Sequence, residues 1–246
     1  MESILGQEFI EFDPWLANVI EKPVYRLILN SMINGSNRIY NADFILPDSL
    51  REVSVFVYAK VPTSSLDMVK HLNNIGFYLV DTNVTLSKPI NKLSGLKGSY
   101  ELRFALPIDE KQVCYLAGSA FKYSRFHMDY QFSNDMANHI KEEWVRNYFI
   151  GKRGQYMVVA INKCEIVGFL QLLCNDGILT IDLIAVDSAF HGKGIAQDMI
   201  NFAESSCSNT FEFRVGTQIN NIQSLRLYER AGFRMTETHY VLHYHL

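Results

Sequence analysis

The chain has 246 residues, long for one average domain and short for two full ones, and 48% of them are hydrophobic, ample for a sizeable core. Its 23 basic and 26 acidic residues leave a formal net charge of -3, which excludes the broad basic footprint of a nucleic-acid-binding surface. No apolar run reaches the ~18 residues needed to span a bilayer.

The opening Met1-Glu2-Ser3-Ile4-Leu5-Gly6-Gln7-Glu8 carries no basic-then-apolar leader. The cysteines, Cys114, Cys164, Cys174 and Cys207, are widely spaced and form no Cys-x-x-Cys pair, so reduced, buried thiols are expected. Together these features predict a soluble cytoplasmic protein that binds neither nucleic acid nor membrane.

Residues 1 to about 50 read as mixed short segments, broken at Asp13-Pro14 and Lys22-Pro23 and by the turn cluster Asn34-Gly35-Ser36-Asn37. Val53 to Ala59 then reads as a strand, Ser65 to Ile75 as a helix stopped by Gly76, and Phe77 to Leu86 as a second strand. The same order returns near the C-terminus. There Phe211 to Val215 is a strand, Asn221 to Ala231 a helix stopped by Gly232, and Met235 to Tyr244 a strand. Superposing Gly76-Phe77 on Gly232-Phe233 puts Thr82 on Thr238 and Leu86 on Leu242, with Asn73 close to the place of Tyr228. The chain therefore carries a repeated strand, helix, Gly-Phe, strand unit.

The polar stretch Ser87 to Ser99, with Lys88-Pro89, Gly95 and Gly98, is the best linker candidate. It suggests domains at 1–98 and 99–246. Glu101 to Ala105 restarts with strand alternation, and Ile108 to Phe121 suits a helix entered through Pro107 and Asp109. An amphipathic helix follows at Asn134 to Phe149, with Met136, Ile140, Trp144 and Tyr148 on one stripe. Between Gln155 and Val186 three strands are joined by turns at Asn162-Lys163 and Asn175-Asp176-Gly177, both suited to tight hairpins.

The most informative stretch is Leu179 to Ala203. A buried strand, Leu179 to Val186, leads through Asp187-Ser188-Ala189-Phe190 and His191-Gly192-Lys193-Gly194 into a helix with Ile195, Met199, Phe202 and Ala203 on one face. Glycines before a helix N-terminus suit an anion, because unpaired N–H groups and the positive dipole end meet there. By itself a Gly-x-Gly is equally a plain connection.

Ile184-Ala185-Val186-Asp187 through His191-Gly192-Lys193-Gly194-Ile195-Ala196 resembles the acetyl-CoA motif of the GNAT N-acetyltransferases, with His191 where that family carries Gln or Arg. Downstream, Asn221-Ile222-Gln223-Ser224-Leu225-Arg226-Leu227-Tyr228 through Gly232-Phe233 resembles the family's second signature. The resemblance implies an α/β fold with a mixed sheet: a GNAT domain at the C-terminus and a smaller, partial GNAT-like domain at the N-terminus. It also implies acetyl-CoA as co-substrate, held by residues 184–186 and 191–196 and by Asn221, and Tyr228 as the acid that protonates the departing thiolate. Packing alone is the other reading of Tyr228, and a helix N-cap is a compatible role for Asn221.

Ser119-Ala120-Phe121 followed by Ser124-Arg125-Phe126, together with Val215-Gly216-Thr217-Gln218, resembles the nucleotide amino-sugar branch of the family, that of TDP-fucosamine acetyltransferase. In this fold the link between the first two helices lies beside the acceptor, so Arg125, His127 and Asp129 are candidate substrate contacts. Arg125 has the planar fork that suits phosphate or carboxylate. The bland reading of all three is a solvated loop with local ion pairs.

For the base, Asp182 shares strand parity with Ile184 and Val186, so its carboxylate is expected on the cofactor face. A paired structural aspartate is the competing reading, water relays, His127 and Asp129 compete for the same role, and an amine of low pKa needs no strong base. His239, His243 and His245 alternate along the last strand but lack the other ligands of a metal site, and none is expected. The sequence thus points to transfer of an acetyl group to a primary amine by direct attack, with a small-molecule amine, preferably a nucleotide-linked amino sugar, as acceptor. Another small amine, a protein amine, a non-catalytic acyl-CoA-binding module and a homodimer all stay open.

Overall fold

A computed structural model describes residues 10–29, 31–34, 37–40, 54–90, 98 and 100–246. Its contacts divide into two compact units, and neither is continuous in sequence. The first comprises residues 1–83, 128–132 and 237–246, and the second residues 84–127 and 133–236. The expected boundary at 98/99 therefore does not coincide with the division. The reason is strand pairing: the end of the chain joins the N-terminal sheet.

In the first unit the strand order is β1 (Ile10–Phe12), β2 (Val24–Leu27), β5 (Phe56–Pro62), then the C-terminal part of β12 (Arg234–His245). β2 runs parallel to β5, and β12 antiparallel to it, from His239 opposite Pro62 to His245 opposite Phe56. Helix α1 (Pro14–Ile20) starts at Pro14 and is capped by Asp13, whose Oδ1 accepts from Leu16 N–H. A separate antiparallel pair, β3 (Ser31–Asn34) and β4 (Asn37–Tyr40), flanks the Asn-Gly-Ser-Asn cluster. Helix α2 (Leu66–Asn74) covers the sheet, burying Met68 and Leu72 against Val55, Val57, Ala59, Val61 and Leu242.

In the second unit the order is β6 (Tyr78–Pro89), β11 (Glu212–Gln218), β10 (Ile178–Val186), β9 (Glu165–Asn175), β8 (Tyr156–Asn162) and β7 (Glu101–Phe104). β6 and β12 each contribute residues to both units. The antiparallel meander β8–β9–β10 turns at Lys163-Cys164 and at Asp176-Gly177, all four at positive φ, the geometry of two-residue hairpin turns whose twist matches the strands. One apolar face of this sheet is covered by α6 (Ile195–Ser206) and α7 (Ile222–Arg230). The other is covered by α3 (Glu110–Ala120) and α5 (Asn134–Phe149).

Ile108 and Asp109, expected within the first helix of this domain, belong instead to a 3-10 turn, Pro107–Asp109, and Arg125–Met128 forms a one-turn helix, α4. The linker candidate begins inside β6, which runs to Pro89, and residues 91–97 and 99 lie outside those described. There Lys88 Nζ binds the buried Glu204 at 2.8 Å and the Ala231 carbonyl at 3.0 Å, so one residue of the presumed linker fixes both α6 and the end of α7. All four cysteines are free; Cys114 and Cys207 are buried as expected, but Cys164 is exposed in a hairpin turn.

The repeat is visible in the coordinates. Gly76 and Gly232 both end helices at positive φ, +101° and +90°, and Phe77 and Phe233 are both buried. The same offset sets the buried Leu72 against Tyr228, so the first copy holds an apolar residue where the second holds a phenol. No helix among the described residues is long and apolar enough to cross a membrane.

Candidate active site

β10 organises the site. Its pairing with β11 ends at Ile181 opposite Val215, whereas its pairing with β9 continues to Val186 opposite Gly168. Between Ile181 and Leu183 the register with β9 shifts by a bulge, which reverses the faces of the strand. Leu179 and Ile181 pack with α6 and α7, as Ile184 and Val186 do beyond the bulge, while Leu183 and Ala185 join the α3–α5 core.

This bulge overturns the expected orientation of Asp182. Parity placed it with Ile184 and Val186, but it faces α5 on the other side of the sheet. There Arg153 Nε and Nη2 donate to its two oxygens at 2.7 Å each, Trp144 Nε1 donates at 2.9 Å, and Gln171 Nε2 at 3.2 Å. The carboxylate accepts four hydrogen bonds, three of them on Oδ2, and is ion-paired with Arg153.

After β10, Asp187 caps a short turn, Ser188–Phe190, by accepting from Ala189 N–H. His191 folds back so that its Nε2 lies 2.8 Å from the Val186 carbonyl, and the residue stays exposed. Gly192 and Gly194 stand at φ +75° and +82°, and a Cβ at either would meet nothing within 4 Å. The glycines therefore serve backbone conformation and an open approach rather than tight packing. Gly194 begins α6 without a side-chain cap, leaving the first-turn N–H groups to a ligand. This open, positively polarised cradle fits a pyrophosphate such as that of acetyl-CoA. Lys193 sits over the Phe190 ring, 4.5 Å from its centroid, and Ile195 is buried beneath the loop.

Asn221 takes the capping role, its Oδ1 accepting from Ser224 N–H at the start of α7. Two turns later Tyr228 is 2% exposed, in the same apolar cluster as Ile195 and Met199 and 5.6 Å from the Phe233 ring. Burial pushes its phenol further above the ordinary tyrosine range, so it stays protonated at neutral pH.

The three expected substrate contacts divide between the two units. Arg125 and His127 belong to the second unit. Asp129 belongs to the first, where its Oδ2 lies 2.6 Å from His243 Nδ1 and 2.9 Å from His245 Nε2, and its Oδ1 accepts from Tyr78 at 2.6 Å. Three donor atoms of Asp129, His243 and His245 lie within 4.8 Å of one another, the composition of a cation site, but both imidazoles contact the carboxylate at hydrogen-bond distance. His239, expected to share a face with them, is not in that cluster.

His127 is held from both sides. Its Nε2 meets Asn138 Oδ1 at 3.0 Å and its Nδ1 meets Ser124 Oγ at 2.6 Å. Because the amide oxygen only accepts, Nε2 carries the proton and Nδ1 accepts from the serine. Burial pulls the pKa of His127 below the usual histidine value, so the ring is neutral at pH 7.

The residue least visible in the sequence is Lys141. The apolar stripe of α5 was expected through Met136, Ile140, Trp144 and Tyr148, but the buried residues are Ala137, Ile140, Lys141, Val145 and Asn147. Lys141 Nζ lies between the rings of Trp144 and Phe121, 4.7 and 5.0 Å from their centroids. Arg153 stacks on the same tryptophan at 4.9 Å.

Comparison with known proteins agrees with this architecture. The acetyltransferase (GNAT) domain family matches residues 125–243. The chain is 29% identical to the spore coat polysaccharide biosynthesis protein SpsD of Bacillus subtilis, over 93% of this chain and 80% of that protein. It is 28% identical to the dTDP-fucosamine acetyltransferase of Escherichia coli O6:H1, over 82% of this chain and 87% of the relative. Among solved structures, a GCN5-related N-acetyltransferase from Sphaerobacter thermophilus superposes with a TM-score of 0.55 at 17% identity, covering 81% of this chain and 62% of that one. With the splayed β10, the glycine cradle before α6 and the buried Tyr228 on α7, these matches place a GNAT acetyltransferase domain at residues 125–243.

Proposed function

We propose that the chain transfers the acetyl group of acetyl-CoA to the primary amine of a nucleotide-linked amino sugar, by direct attack of the amine on the thioester. The observation that carries this reading is the open glycine cradle at the start of α6, beside the point where β10 parts from β11. It is supported by relatives whose names place them in polysaccharide biosynthesis and in acetylation of a dTDP-linked amino sugar.

In this reading the amides of Gly192–Ala196 hold the pyrophosphate, with Lys193 adding charge and Asn221 beside them. The backbone of Ile184–Val186, beyond the point where β11 parts from β10, receives the pantetheine arm and polarises the thioester carbonyl. Tyr228 gives its proton to the departing thiolate. Asp182 is a positioning residue, since its two oxygens already hold Arg153. The proton lost by the attacking amine passes through Ser124 Oγ to the bare Nδ1 of His127, and Asn138 fixes the tautomer that permits this.

Two measurements test this. Thiol release from acetyl-CoA across TDP- and UDP-linked amino sugars, polyamines and peptides is expected to select a nucleotide amino sugar. Faster turnover of a peptide or polyamine would overturn that acceptor. The pH profile of kcat/KM is expected to fall on the acid side through a pKa below about 6.5, as His127 gains a proton and ceases to be a base. His127→Gln should remove that limb and lower the plateau about 10²-fold; an unchanged limb would exclude His127 as the base.

A further inference from the structure

The cradle before α6 is built from residues that pack against little. A Cβ added at Gly192 or Gly194 would meet nothing within 4 Å, and both stand at positive φ, +75° and +82°. The segment is anchored at its two ends. Upstream, Asp187 N–H donates to the Val167 carbonyl at 2.9 Å, beyond the last paired residues of β10 and β9. Downstream, Ile195 is buried and Asp198 N–H donates to the Gly194 carbonyl at 3.0 Å, in the first turn of α6. Amides that are to hold an anion work best when they share one orientation beforehand, because ordering a glycine-rich loop on binding costs entropy.

One side chain reaches from this loop back to the strand. His191 Nε2 lies 2.8 Å from the Val186 carbonyl, and among the described residues this is the one hydrogen bond formed by any side chain of residues 188–194. A carbonyl oxygen only accepts, so Nε2 carries the proton and donates. The bond ties off the segment 186–191 around the turn that Asp187 caps. That turn also carries Phe190, whose ring lies under the Lys193 ammonium between the two glycines.

The place of the bond on the strand matters as well. Asp187 N–H points to β9, and backbone polar groups alternate sides along a strand, so the Val186 carbonyl points away from β9. That is the side from which β11 has parted, since its pairing with β10 ends at Ile181. His191 therefore joins the open edge of β10 to the base of the cradle.

We infer that His191 is a positioning residue for the cofactor: its imidazole ties loop to strand and so aims the Gly192–Ala196 amides at the pyrophosphate before the ligand arrives. This deepens the acetyl-CoA reading and rests on it for the identity of the anion. The imidazole acts through the backbone it restrains, and its contribution is to lower the ordering cost of binding. A glutamine amide nitrogen stands the same number of bonds from Cα as Nε2 does, so glutamine at this position can make the same bond to Val186.

The test is calorimetric titration of the full chain with coenzyme A and with pantetheine, which lacks the pyrophosphate. His191→Leu keeps the bulk of the side chain without its donor and should weaken coenzyme A about 3- to 10-fold, the effect of one neutral hydrogen bond. Pantetheine binding should be unchanged, and because the residue is exposed the unfolding midpoint should stay within about 2 °C. His191→Gln should recover coenzyme A affinity to within about twofold of the parent, a rescue that a side chain valued only for packing would not show. Unchanged coenzyme A affinity in His191→Leu, equal weakening of pantetheine, or no recovery in His191→Gln would each overturn the inference. A parent chain that binds no coenzyme A would overturn the acetyl-CoA reading and this inference together, whereas firm binding that neither substitution alters would overturn the role of His191 alone.

Discussion

Tyr228→Phe is expected to lower kcat by about 10²- to 10³-fold, with little change in the KM for acetyl-CoA. The substitution removes one oxygen and keeps the ring, so the contact with Phe233 and the place of α7 in the apolar cluster survive. What is lost is the proton donor that α7 supplies to the leaving thiolate. A thiolate expelled without a donor must depart as an anion into an apolar surround, and that charge is expensive there. The loss should be seen in the chemical step, measured by single-turnover quench under saturating acetyl-CoA, while thermal unfolding stays within about 2 °C of the parent. Because burial raises the phenol further above its ordinary range, the alkaline limb of the parent's pH profile does not report Tyr228. Any such limb should persist in a sensitive assay of the Phe variant. A kcat within threefold of the parent would remove Tyr228 from the chemistry and leave it as a packing residue.

The elements that could be read from the sequence are those whose signal is local. Gly192, Gly194 and the apolar face from Ile195 to Ala203 lie within one short stretch, and strand, cradle and helix follow from them. The capping position of Asn221 and the stop at Gly232 are equally local, as are the two hairpin turns. Features that depend on distant pairing were not legible. A single bulge between Ile181 and Leu183 turned Asp182 to the opposite face, and strict alternation cannot foresee a bulge because its cause lies partly in the partner strand. Lys141 reads as polar in any helical pattern. Its burial depends on Phe121 from the preceding helix and on Trp144, Arg153 and Asp182, and the last two come from outside its own helix. The division of contacts into two units was not legible for the same reason, since residues 239–245 pair with β5 roughly 180 positions earlier. In sequence, Asp129 stands beside Arg125 and His127. Its neighbours in space are two histidines from the other end of the chain.

That burial makes Asp129 the site of the largest expected loss of stability. Asp129→Asn should destabilise the first unit by about 3–5 kcal/mol, a fall of some 10 °C or more in its unfolding midpoint. The carboxylate side chain is fully buried and accepts from Tyr78 and from the Gln131 N–H on one oxygen, with both imidazoles on the other. Phe56 closes the cluster, stacking on His245 at 4.6 Å and meeting His243 edge-on at 4.8 Å. An amide in this position offers one acceptor where two served, and turns a donor towards groups that themselves donate. The pH dependence carries a separate signature. Burial alone would raise the Asp129 pKa, but the hydrogen bonds from His243, His245, Tyr78 and the Gln131 N–H together hold it well below the ordinary carboxylate range. A group whose folded pKa is depressed stabilises the fold above its unfolded value and loses that contribution as pH falls towards the folded one. The gap in stability between parent and Asp129→Asn should therefore be full at pH 6 and close progressively below about pH 4, the unfolded value for aspartate. Paired urea titrations across that range measure the gap directly. A gap that stays constant down to pH 3 would mean that the carboxylate's charge contributes nothing, and that packing alone makes Asp129 matter.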